Sequence, residues 1–198
     1  MKRFVIGVLF FIQISGCHSN QSQIPVTDVV KPTDTTKKNY LPVGDYLKSE
    51  IANVDSFPRL IKKYQVVNGK TDSAIITTPV FDQLAKVFLL AELDSTHFEK
   101  NFEENSFVDR STGLISFTYS TKDTGNGLKR VDVLLTPGDN ATKLNSIYME
   151  SIAVNADSTL IEKMNWKAGK NFKIIRIHQP KKGNETTDQL LVDWDNRD

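Results

Sequence analysis

From Gly113 onward the chain changes from a helical period to a period of two, and this change constrains the fold more than any other feature. Ile115, Phe117 and Tyr119 alternate with Ser116, Thr118 and Ser120. Val131, Val133 and Leu135 alternate with Arg130, Asp132 and, less cleanly, Leu134. Successive side chains of a strand point to opposite faces, so the spacing predicts half-buried strands. Residues 144–154, 159–167, 171–178 and 188–195 continue the series. Breaks fall at Pro137-Gly138-Asp139, Asn155-Ala156-Asp157, Ala168-Gly169-Lys170 and Lys182-Gly183-Asn184. Such short connections join antiparallel neighbours, and the expectation is a meander of about six strands.

Before Gly113 the pattern is mostly helical. Val43, Leu47, Ile51 and Val54 repeat at steps of four, four and three within residues 40–55, and Phe57-Pro58 stops that helix. Leu60–Val67 and Ser73–Thr77 are rich in strand formers and meet through Asn68-Gly69, the pair suited to a type I′ turn. A second helix opens at Thr78-Pro79, with Thr78 as N-cap and a buried stripe of Phe81, Leu84, Ala85 and Phe88. A third is expected from Thr96, where Glu99 completes a capping box, Phe98 and Phe102 form the inner face, and Ser111-Thr112-Gly113 ends the helical region. The fold class that follows is α+β: helices in the N-terminal half, including a β-hairpin, then an antiparallel meander of about six strands packed on the helices.

The first residues have another character. Lys2 and Arg3 precede the apolar run Phe4–Ile14, which is too short to span a bilayer as a mature helix, and small Ser15 and Gly16 precede Cys17, the only cysteine. A charged start, a short apolar core and small residues before a cut describe an export signal. Ile14-Ser15-Gly16-Cys17 resembles the lipobox of bacterial lipoproteins, which implies cleavage before Cys17 and lipid attachment to it. Residues 1–16 are then a signal peptide. Residues 17–39 are the lipidated cysteine and a polar tether, whose composition buries too little to fold. Residues 40–198 form one globular domain. His18 rather than aspartate follows the cysteine, so the resemblance implies the outer membrane, and the missing acidic tag implies its periplasmic face.

Charge narrows the partners. The chain carries 25 basic and 24 acidic residues; losing Lys2 and Arg3 leaves 23 against 24, a net −1. No basic excess exists for a nucleic-acid backbone, and no basic run for anionic lipid, so membrane contact is expected through the lipid on Cys17.

The chemistry-bearing residues are few, and no cofactor or metal is expected. No arrangement of the three histidines has zinc spacing, and neither a Gly-x-Ser-x-Gly elbow nor a phosphate-cradling loop occurs. His18 lies in the tether, and His178 ends a strand beside Gln179-Pro180 without a visible partner. Asp94, His97 and Glu99 form the densest cluster of potential ligands, and an envelope hydrolase would place them in a cleft; a helix start explains the same residues more simply. Tyr148, Trp166 and Trp194 are the candidate binding surface for a peptide, a glycan or another envelope protein. Core packing is the simpler account of the tryptophans, with Leu160, Met164 and Trp166 on one strand face and Leu190, Val192 and Trp194 on another. The expected function is a non-catalytic binding or scaffolding domain held at the membrane. A carrier of apolar ligands is the variant, with Phe81, Phe88, Phe117 and Trp166 lining a cavity.

Overall fold

The computed structural model describes residues 40–56, 59–138 and 142–195. The lipobox, the tether, His18, the Phe57-Pro58 stop and Asp139 of the first turn lie outside the described residues. Residues 39–198 form one compact unit. All the buried apolar side chains among the described residues fall between Val43 and Trp194.

The architecture is predominantly β, which corrects the α+β expectation. A single antiparallel sheet of nine strands contains β1 (Ile61–Val67), β2 (Lys70–Ile76), β3 (Phe102–Val108), β4 (Ile115–Thr121) and β5 (Gly127–Thr136). It continues through β6 (Lys143–Val154), β7 (Ser158–Lys167), β8 (Asn171–Pro180) and β9 (Thr186–Asp193). The spatial order is β2-β1-β9-β8-β7-β6-β5-β4-β3. Among the described residues three α-helices accompany it: α1 (Val43–Asp55), α2 (Thr78–Ala85) and the two-turn α3 (Ser95–Asn101).

Two misread segments account for the difference. Residues 102–108, expected to continue the third helix, are strand β3, paired in register with β4 from Phe102–Thr121 to Val108–Ile115. The spacing of four between Phe98 and Phe102 looked helical, but Phe98 ends on α3 and Phe102 starts a strand, and the two rings meet at 4.7 Å. The N-terminal hairpin does not stand apart either. Its β1 lies beside β9, from Lys62–Asp193 to Val66–Gln189, so the hairpin extends the main sheet.

The local signals explain the elements that formed as expected. Asn68 and Gly69 have φ of 49° and 72°, the left-handed region that a type I′ turn requires at both positions. The α1 face buries Val43, Leu47 and Val54, with Ile51 packed against the same core. Thr77 rather than Thr78 occupies the N-cap of α2, and Pro79 sits in the first turn, where its missing N–H costs nothing. Phe81 and Ala85 of α2 and Phe88 of the following 3₁₀ turn are fully buried.

Strand register places the core on one face. Val131, Met149, Met164, Ile174 and Leu190 form one row across β5 to β9, and Val133, Ile147, Trp166, Phe172 and Val192 form the next. All ten are buried. They contact the helices, so the helical layer covers this face. Positions of the opposite parity are nowhere buried from β4 to β9 or in β1.

Candidate functional site

The helix-facing side is a packed aromatic core. Phe81 meets Trp194 at 5.2 Å, and Phe88 meets both Trp166 and Phe172 at 5.2 Å. Trp166 stacks on Phe172 at 5.4 Å. Phe117 is half-buried against the same cluster. The side chains expected around a carrier's cavity therefore fill the space between sheet and helices with each other.

The three aromatic residues expected to share a binding surface are not brought together. Trp166 is 0% and Trp194 1% exposed, both on the helix side. Tyr148 follows Ile147, which faces the helices, so alternation sends the tyrosine to the opposite face. Alternation in the sequence shows that residues share a face without showing which face is covered.

The Asp94–His97–Glu99 region forms a helix start. Asp94, not Thr96, is the N-cap, and its carboxylate accepts the Thr96 N–H at 3.2 Å. His97 and Glu99 are both exposed. The His97 backbone carbonyl accepts from Asn101 Nδ2 at 2.8 Å. Among the described residues no carboxylate pairs with its imidazole, and no group of three or more His, Cys, Asp or Glu side chains could hold a metal ion. His178 does have a partner: its Nε2 lies 3.6 Å from Asp188. Asp188 continues a row of alternating charge across β7, β8 and β9, in which Arg176 bonds Glu162 at 2.7 Å. This row lies on the helix-side face, and none of its members is fully buried.

The uncovered face has two chemically different halves. On β4 to β6 the polar groups satisfy one another. Asp132 accepts from Thr118 at 2.8 Å and from Arg130 at 2.9 Å, which pushes the Arg130 guanidinium pKa up. The Tyr148 hydroxyl donates to Glu150 at 2.8 Å. Burial, aided by that bond and the Glu150 charge, pushes the Tyr148 phenol up to about 12.

On β7, β8, β9 and β1 the same face is basic. Lys163, Lys167, Lys173 and Lys62 all have the uncovered parity, and Asp193 is the one acidic residue among them. None of the four lysines has an ion pair among the described residues. Asp193 instead accepts from Asn171 and from the Asp195 N–H. Glu150, across from Lys163, accepts the Tyr148 hydroxyl.

Leu191 and then Tyr64 stand beside Lys173, and Ile75 beside Lys62. Tyr64 is 42% and Ile75 69% exposed. Two shallow grooves share Tyr64 as a wall. One, of about 200 Å³, is lined by Tyr64, Val66, Thr71, Lys173, Gln189 and Leu191. The other, of about 250 Å³, runs between Tyr64 and Ile75 past Lys62 and Ser73. Neither Tyr64 nor the lysines stood out in the sequence. The available signal was their parity, opposite to the buried residues of the same strands, and it becomes useful only once register aligns the strands.

No helix among the described residues is long and apolar enough to cross a membrane. Compared with known proteins, the chain matches no family model, no curated protein and no solved structure.

Proposed function

We propose that the chain is an envelope lipoprotein, anchored through lipid on Cys17, whose globular part is a non-catalytic binding or scaffolding domain. Its binding surface is the half of the uncovered sheet face on β4 to β6, which carries Tyr148. The observation behind this reading is the one-sided burial of the sheet. Helices cover one face, while on the second no position from β4 to β9 or in β1 is buried. At roughly 4.8 Å per strand spacing, nine strands make a face about 38 Å wide, enough for a peptide, a glycan or a second envelope protein. Support for the anchor is the order Lys2-Arg3, apolar run, Ser15-Gly16-Cys17. The favoured location is the periplasmic face of the outer membrane.

Photo-crosslinking in intact membranes tests the surface. A crosslinker at position 148 is expected to give one discrete adduct, and one at the exposed Gln83 of α2 none. Equal labelling from both positions would overturn the assignment. Metabolic palmitate labelling tests the anchor: Cys17→Ala is expected to abolish incorporation, and retained label would refute lipidation at this residue.

A further inference from the structure

We propose that the basic half of the uncovered face, on β7, β8, β9 and β1, docks on an anionic lipid surface. The sequence contains no basic run, and the chain as a whole is close to neutral. The fold nevertheless gathers Lys62, Lys163, Lys167 and Lys173 from three strands onto one side, against Asp193 on these strands and Glu150 on neighbouring β6. Lys62, Lys167 and Lys173 are exposed, and none of the four has an ion pair among the described residues. Unpaired ammonium groups on long apolar stems suit a headgroup layer, because the stems lie along apolar surface while the charge stays hydrated.

Two further observations favour lipid over an acidic peptide. Exposed apolar side chains, Tyr64 and Ile75 with the groove along Val66 and Leu191, stand among the lysines, a mixture suited to the boundary between headgroups and acyl chains. Residues 18–39 separate Cys17 from Tyr40. Twenty-two residues reach at most roughly 75 Å, so a lipid on Cys17 would keep the domain within that distance of the bilayer. The inference rests on the anchored reading for this proximity alone. Lipid on Cys17 would supply the attachment, and the lysine face would set which side of the domain meets the membrane.

The test uses residues 39–198, which form one compact unit, so that no lipid or apolar leader contributes. The protein is sedimented with vesicles of phosphatidylglycerol and phosphatidylethanolamine, and with phosphatidylcholine vesicles. The expected result is binding to the anionic vesicles only, weakened by salt. Each of Lys62→Gln, Lys167→Gln and Lys173→Gln is expected to lower the partition coefficient about fivefold. These side chains are exposed, and an unchanged circular dichroism spectrum confirms folding. Tyr64→Ser is expected to weaken binding without altering its salt dependence. Absence of binding, binding indifferent to the three lysines, or preferential binding of a polyglutamate peptide in competition would each overturn the proposal. None of these outcomes bears on Cys17, whose lipidation is read separately by palmitate incorporation.

Discussion

Glu50 and Gly169 meet across 119 positions of the chain: the Glu50 carboxylate on α1 accepts the backbone N–H of the β7–β8 turn at 2.7 Å. The same oxygen receives the Trp166 indole N–H at 3.3 Å. One carboxylate thus ties the first helix to the sheet and satisfies a donor inside the aromatic core. Hydrogen bonds to charged groups contribute about 1.5–3 kcal/mol, and a buried donor left unmade costs more than the average bond contributes. Glu50→Ala is therefore expected to destabilise the domain by about 2 kcal/mol. Glu50→Gln keeps an acceptor and should cost less. Urea unfolding followed by tryptophan fluorescence checks both, and equal stabilities for all three proteins would show that the tie is idle.

Phe81 is fully buried on α2 and contacts Trp166, Phe172 and Trp194. Replacing it with alanine leaves a cavity that three large rings cannot collapse to fill. The expected loss is about 3–5 kcal/mol, a large share of the roughly 5–15 kcal/mol that holds an ordinary domain. Phe81→Leu should retain the fold at a smaller cost. Thermal melts of both variants measure the difference. A Phe81→Ala protein melting like the parent would mean that the aromatic layer repacks freely.

The turn between β3 and β4 is organised by one acid. Asp109 accepts from the Ser111 hydroxyl and the Thr112 hydroxyl, each at 2.7 Å, and from the Ser111 N–H at 2.9 Å. These bonds, the Ser111 hydroxyl first, pull its carboxyl down from an ordinary value of 3.8 to about 2. A depressed folded-state value means that the contribution is fully present above the unfolded value and is lost as pH falls through the folded one. The turn should therefore hold at neutral pH and loosen between about pH 4 and pH 2. Carboxyl chemical shifts measured against pH would report it, and a midpoint for Asp109 near that of a free aspartate would contradict the bonding described. Asp109→Asn should remove the transition from this window.

Legibility in the sequence followed the range over which each signal acts. The Asn68-Gly69 turn, the α1 face and the strands after Gly113 are set within a few residues, and each formed close to its expected position. The strand Phe102–Val108 was hidden because only Phe102 of its helix-side positions is buried, and Glu104 and Ser106 break the alternation. As an edge strand it has one partner, so less of it is covered. The pairing of β1 with β9 joins segments more than 120 residues apart and leaves no local trace. The lysine face depends on that register, so a chain without a basic run could still carry a basic surface. Trp166 and Trp194 were legible as sharing a face within their strands, and the helices decided that this face was the buried one.

The position of β9 between β8 and β1 has a consequence for synthesis. That strand is made after the eight other described strands yet lies inside the sheet, and the first hairpin has no sheet to join until it arrives. Strands β3 to β8 pair in chain order and can meet before it. The contact of β9 with β1 is long-range, the class that forms slowly. One edge of the sheet therefore stays open until residues 186–193 have been made.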